Sequence, residues 1–429
     1  MKRLLLVVVV VVLAGCGSSV PGGPGSAPED GLGEVGNVTS TSDLAVDPSD
    51  GFTEAELEQF VNRSMARIEV VRDLEYRQPV DVTIVNRSAY REQYVDRVTG
   101  PTRPDWENQI WRGLFIVGQD RDATDVLDEA FGGSVQGFYE PGQNSIVIVS
   151  DSETPTVRKN TLVHELTHAL QDQRFGLAFG QETRDRQAAY DTLIEGEAEL
   201  VPKLYLDRCG SEWSCIRPEV DASQATPLDP GIAQIITQPY RQGVGFVEQL
   251  KADGGWEAVN EAHENPPEST AQTIDPERYP GDTPQNVTIP DRSSGEWDRF
   301  DQHPEGDTVG VVSIFAMFES NGIIQPDRSG TYEHPVTTGW EGDRFVPYRT
   351  DGEFGYVWEI AWDSNSNAAQ FADAYRELLD EHGGLERGID RFVIEDGPYA
   401  GAYRLTVDGD TVRIVSGPST NSLSAIHGT

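Results

Sequence analysis

Two histidines four residues apart, in His164-Glu165-Leu166-Thr167-His168, constrain this chain more than any other feature. That spacing is useful only on an α-helix, where residues four apart share a face about 6 Å apart along the axis. Both imidazoles can then reach one metal ion at roughly 2.0–2.1 Å, with Glu165 projecting beside them. The flanks suit a helix over residues 155–174. Ser152 or Thr154 offers a cap, Pro155 fits the first turn, and Gly176 follows the last. Leu162, Leu166, Ala169 and Leu170 supply an apolar side to pack inward.

Two imidazoles leave a tetrahedral site short of a protein ligand. The next predicted helix, 184–207, carries Leu193-Ile194-Glu195-Gly196-Glu197-Ala198-Glu199. Glu195 follows His168 by 27 residues, which allows a turn and an antiparallel return, so it is the expected third ligand. Gly196 is expected to let this helix pack close to the histidine-bearing one. Glu197 lies about 160° around the helix from that face, where a solvated position is expected. Asp172 and Asp191 sit one turn from His168 and Glu195, where they either support the ligands or face solvent.

These residues resemble the gluzincin group of zinc peptidases, whose third ligand is a Glu in a short Glu-Gly-X-Ala type segment. The resemblance implies a zincin-like core of edge strand, HExxH helix and Glu-bearing helix. It also implies one Zn2+ per chain, held by His164, His168 and Glu195, and peptide hydrolysis with Glu165 as general base. Glu199 stands where the group carries an acid, more usually Asp, that orients a metal-bound histidine; it is also the alternative third ligand. The strand at 145–149 resembles the edge strand that holds extended substrates. Tyr240 is the candidate oxyanion donor. His263, His303, His334, His382 and His427 are isolated and read as structural or exposed.

A wider stretch is similar to a group of largely uncharacterised predicted metallopeptidases. It takes in Gly137-Phe138-Tyr139 through Val149, Asn160 to Gln173, Tyr240-Arg-Gln-Gly-Val-Gly-Phe246 and Pro266-Pro267-Glu-Ser269-Thr270. It covers residues 137–280 and, more faintly, the tail from Trp358. Where that group has an acid and later a His after Ser269-Thr270, this chain has Ala271 and Asp275.

The chain starts Met1-Lys2-Arg3 and runs apolar from Leu4 to Leu13, a signal-peptide pattern too short for a bilayer span. Leu13-Ala14-Gly15-Cys16 resembles the lipobox of haloarchaeal-type lipoproteins, which implies a lipid-modified Cys16 and an extracytoplasmic, membrane-anchored protein. Cys209 and Cys215 then form an even pair, read as a small disulfide loop. The formal net charge is −39, and only four of the 33 basic residues are lysine (Lys2, Lys159, Lys203 and Lys251). Acids spread along the whole chain point to brine adaptation rather than to a basic partner, and they argue against nucleic acid.

The pattern reads as α+β: a signal peptide (1–15), lipidated Cys and flexible linker (16–50), an N-terminal α/β part (51–135), the catalytic core (136–280) and a C-terminal α+β part (281–429). Helical periodicity marks 53–74, parts of 106–131, shorter helices within 229–275, 307–320 and 366–382. Strand patterns mark 80–85, the hairpin 137–149, 355–362, and three short runs between 391 and 416. Three functions fit these features: an extracytoplasmic peptidase, a zinc hydrolase on non-peptide envelope material, and a lipid-anchored binding protein with a vestigial metal site. Retention of a base at Glu165 argues against the last, because a structural zinc needs ligands but no base.

Overall fold

The computed structural model describes residues 31–44, 46, 51–95, 104–131, 135–152, 154–155, 159–178, 180–216, 228–301, 304–325 and 331–428. The signal peptide, Cys16 and His303 lie outside the described residues.

In chain order, a small hairpin of β1 (Glu34–Val35) and β2 (Val38–Thr39) precedes α1 (Glu54–Arg72), β3 (Asp81–Val85) and α2 (Arg87–Tyr90). Next come α3 (Pro104–Gly113), α4 (Ala123–Phe131), β4 (Gly137–Glu140) and β5 (Ser145–Val149). The middle holds α5 (Lys159–Phe175), α6 (Arg184–Asp207), α7 (Pro230–Glu264) and α8 (Thr270–Ile274). The remainder is β6 (Asp298–Arg299), α9 (Gly310–Ser320), β7 (Trp340–Arg349), β8 (Phe354–Trp362), α10 (Asn365–Glu381), β9 (Leu385–Glu386), β10 (Arg391–Ile394), β11 (Gly401–Asp408), β12 (Thr411–Gly417) and α11 (Thr420–Ile426). The class is α+β, and no described helix is long and apolar enough to cross a membrane.

Two packed regions carry the architecture. In the first, β3, β5 and β4 form a three-stranded sheet in that spatial order. Ile146 and Ile148 pack with Phe60 and Ile68 of α1, Leu162 and Leu166 of α5, and Val201 of α6. In the second, an antiparallel sheet of seven strands, in the order β6-β7-β8-β12-β11-β10-β9, packs against α10 and α9. The expected boundary at 281 is not a packing boundary. Trp106 and Ile110 of α3, with Leu114 and Phe115 after it, are buried with Phe345, Trp358 and Phe371 of the C-terminal part. Apolar side chains this large need a full apolar face to cover them, and the seven-stranded sheet provides it.

Several expectations change. β5 is not an edge strand, because β3 pairs with it in parallel and β4 in antiparallel register. Helix α5 is described from Lys159, and residues 156–158, which an expected cap at Ser152 or Thr154 would serve, lie outside the described residues; the Ser152 hydroxyl accepts from the Thr154 amide and donates to the Thr154 carbonyl. Part of the expected flexible linker is anchored. Gly33 donates its N–H to Glu69, Arg67 donates to the Ser40 carbonyl, and Val35 and Val38 are buried against α1. Strand β7 had no alternating pattern to announce it: Gly342 sits at a register shift, Pro347 interrupts the run, and both faces are mostly buried. The shorter helices expected within 229–275 run together as α7, which kinks at Gly254-Gly255, with Gly255 at φ 70°.

Helices α6 and α7 lie in backbone contact. A Cβ on Gly196 would fall 2.7 Å from the Gly243 Cα, and one on Gly243 would fall 2.7 Å from the Gly196 Cα. Gly196 therefore serves the approach to α7 rather than to the histidine helix. The N-terminus of α6 is held in turn by Asp185, which accepts from the Thr270 amide at 3.0 Å and from the Thr270 hydroxyl. This is a structural role for the Ser269-Thr270 segment.

Candidate metal centre

Leu162, Leu166, Ala169 and Leu170 are all buried, and their packing turns the opposite side of α5 toward α6. His164 and His168 lie on that side with their rings 4.7 Å apart and nearly perpendicular. Glu195 on α6 completes a compact triangle of donor atoms. His164 Nε2 is 3.1 Å from His168 Nε2 and 3.2 Å from Glu195 Oε2; His168 Nε2 is 3.4 Å from the same oxygen. Ligands at about 2.0–2.1 Å around a tetrahedral ion are separated by about 3.3–3.4 Å, so the triangle has the dimensions of one face of such a site. These three residues form the only such grouping of candidate metal ligands among the described residues.

The three groups are strongly coupled. Burial alone would depress both imidazoles, but the carboxylates around them outweigh it. Glu195 and Glu199 raise His164 well above its ordinary value, and Glu195 raises His168. Burial works against the Glu195 charge too, yet His168 and His164 hold its carboxyl down to about 2. Glu195 Oε2 is buried and faces both imidazole Nε2 atoms at ion-pair distance, without well-directed hydrogen-bond geometry to either.

Glu165 is 1% exposed, and its Oε2 accepts the Tyr139 N–H at 2.9 Å. Its Oε1 is buried and without a hydrogen-bond partner. Burial pushes this carboxyl up, the two histidines pull it down, and the net shift is upward. Tyr139 is itself pinned, because its hydroxyl donates to Asp172 at 2.8 Å. Asp172 thus acts through the strand that touches Glu165. The edge strand beside the candidate base is therefore β4.

The other expected residues fall as follows. Glu199 Oε1 lies 3.3 Å from His164 Nδ1, with its side chain 45% exposed. It stands behind the ring rather than in the donor triangle, which leaves Glu195 as the third donor. Tyr240 on α7 lies over His164, ring centres 6.1 Å apart and planes within 21°. The Gly196–Gly243 contact brings it there, since Tyr240 is one turn before Gly243. Asp191 accepts from Gln187 at 2.8 Å, and its carboxyl is pushed up to about 7 by burial. Cys209 and Cys215 form a disulfide.

Glu197 departs from expectation. It is 1% exposed, not solvated. Its Oε1 accepts from Arg72 Nε at 2.5 Å, and its Oε2 accepts from Gln171 Nε2 at 3.1 Å and His263 Nε2 at 2.5 Å. Burial opposes its charge, but Arg72 and His263 hold the carboxyl well below the usual range. Gln171 of α5, Arg72 of α1 and His263 of α7 surround its carboxylate, which no local pattern reveals. Gln171 also escaped the sequence reading, although its spacing of three from His168 puts it on the same face.

Beside the triangle opens a cavity of about 820 Å³. His168, Glu195 and Tyr240 line one part of it, and Trp106, Trp111, Leu114, Ile235, Ile236 and Pro239 form apolar wall elsewhere.

Residues 298–427 match the model of a domain of unknown function, DUF8575. No curated protein and no solved structure matches the chain. The candidate ligands and base all lie before the matched stretch. Asp307, Val312 and Ser313 within it nonetheless line the cavity, so the matched region contributes to the wall around the site.

Proposed function

We propose that the chain is an extracytoplasmic, zinc-dependent peptidase in which His164, His168 and Glu195 hold the ion and Glu165 is the general base. The observation that carries this reading is the buried triangle of donor atoms with a second, unpartnered carboxylate oxygen on the residue next to His164. Donors of two imidazoles and one carboxylate suit zinc, and a catalytic site keeps a coordination position open. Bound there, the ion would supply Lewis acidity to a water and to a substrate carbonyl.

The chain's own residues supply the remaining chemistry. Glu165 takes a proton from the attacking water and returns it to the leaving amine. The Tyr139 N–H fixes one of its oxygens and leaves the other for that proton. Tyr240, stacked over His164 at the cavity wall, is placed to donate toward a developing oxyanion. An extended substrate lies along β4, and the apolar wall takes a large apolar side chain beside the scissile bond. The lipobox-like start supports anchoring at Cys16, and the disulfide suits an oxidising compartment.

The test is protein cleavage in multimolar salt by zinc-loaded wild type and Glu165→Gln, with metal content measured on both. Loss of the base is expected to lower kcat about 10²–10⁴-fold with zinc stoichiometry unchanged. A variant as active as wild type, or the absence of bound metal from both, overturns the assignment.

A further inference from the structure

We infer that His168 is oriented by a buried relay, Arg72–Glu197–Gln171–His168, which begins on α1 and presents Nε2 of that imidazole to the metal site. The inference rests on the metal-centre reading above and extends it to further residues of α5 and α6 and to Arg72 on α1.

Hydrogen-bond bookkeeping at Gln171 decides the geometry. Its Nε2 lies 3.0 Å from the Ile194 carbonyl oxygen and 3.1 Å from Glu197 Oε2. Both are acceptors only, so the amide must present its NH2 group to them. Gln171 Oε1 then faces His168 Nδ1 at 2.9 Å and can only accept. His168 therefore carries its hydrogen on Nδ1, and the Nε2 lone pair points to His164 and Glu195. A glutamine free to rotate would fix no tautomer; this one is held because both of its donors are already bonded.

Glu197 is the anchor of that hold, and it cannot stand alone. An ionised carboxylate 1% exposed needs paired charge to stay ionised. Arg72, fully buried at the end of α1, provides it through Nε and also donates from Nη2 to Asn260 at 2.6 Å. The Arg72 guanidinium lies 4.4 Å from the Trp256 ring centre, and His263 stacks on Phe175 with centres 4.3 Å apart. Packing thus restrains both partners of Glu197. It follows that α1 is a working part of the metal centre, not a segment the mature protein can discard: its removal would leave a buried carboxylate without its arginine.

Gln171 and Glu197 are positioning residues, and the test must separate positioning from mere folding. Three proteins are compared, each checked for wild-type far-UV circular dichroism: wild type, Gln171→Leu, and the double variant Gln171→Glu with Glu197→Gln. The double variant exchanges the amide and carboxylate, keeping an acceptor toward His168 and a donor–acceptor contact between positions 171 and 197 while giving up the donor to the Ile194 carbonyl. Two readouts are taken, the zinc Kd by chelator competition and the His168 ring tautomer by 15N NMR of the metal-free protein at alkaline pH.

The relay requires the Nδ1–H tautomer in wild type and its loss in Gln171→Leu. It also requires a zinc Kd raised about 10–100-fold in Gln171→Leu, the usual effect of removing such an outer partner, with at least partial recovery in the double variant. An Nε2–H tautomer in wild type, or a folded Gln171→Leu with unchanged tautomer and Kd, overturns it. Wild type that shows the Nδ1–H tautomer but binds no zinc upholds the relay and sinks the metal-centre reading, so the two failures are distinguishable.

Discussion

The close approach of α6 and α7 can be tested with two alanines placed two residues apart on one helix. Gly243 faces Gly196, and a Cβ there would sit 2.7 Å from the Gly196 Cα and 2.8 Å from its N, closer still to the Thr192 carbonyl oxygen. Gly245 is exposed on the same helix, and a Cβ there meets nothing within 4 Å. Alanine improves helix propensity at either position by about 1 kcal/mol. That gain cancels in the comparison, and the difference between the variants reports the contact alone. Restoring ordinary van der Waals separation at Gly243 requires the helices to part by several tenths of an ångström or more. Overpacking of this kind costs about 1–3 kcal/mol, so Gly243→Ala should be less stable than Gly245→Ala by that amount. The shift also displaces Glu195, which precedes Gly196, from its register with the two histidines, so zinc should bind more weakly to Gly243→Ala only. Urea unfolding followed by circular dichroism in multimolar salt measures the first effect, and chelator competition the second. Equal stabilisation by both alanines would refute the argument, because it would mean that α6 and α7 do not touch at these glycines.

Two further predictions follow from charge. Burial pushes the Asp185 carboxyl up to about 7, against the Thr270 hydrogen bonds that lower it. The folded protein therefore holds a proton that the unfolded chain has released above about pH 4, so this group favours folding at low pH and loses that advantage as pH rises to about 7. The full swing is about 4 kcal/mol. Asp185→Asn should reduce the slope of unfolding midpoint against pH between 4 and 8 without abolishing it, because burial also pushes Asp191 up to about 7 and Asp343 up to about 6. An unchanged slope would exclude Asp185 as its source. The net charge of −39 predicts a marked salt dependence: the Debye length grows from about 3 Å at 1 M to about 10 Å at 0.1 M, so the melting temperature should fall steeply as sodium chloride is withdrawn. A melting temperature flat across that range would count against brine adaptation.

Local chemistry made much of this protein legible in advance. The spacing of His164 and His168 specified a helix and a shared face, because 3.6 residues per turn permits no other use of that interval. Helix α6 lies at its expected residues, 184–207, since its apolar spacing and the Thr183 cap are near-neighbour properties. Glu195 could be named because one short connection returns the chain antiparallel to α5. Tertiary structure decided the rest. Residues 145–149, expected at an edge, become the central strand because β3, some sixty residues earlier, pairs with them. Glu197 looked solvated because the wheel of one helix says which way a side chain points and not what covers it. Its cover is Arg72, 125 residues away, and His263, 66 residues away. Gly196 could be seen to permit a close approach, but only the fold chose α7 as the partner. Hydrogen-bond and helical periodicities are set by neighbours along the chain, whereas the compensation of a buried charge depends on which distant segments meet.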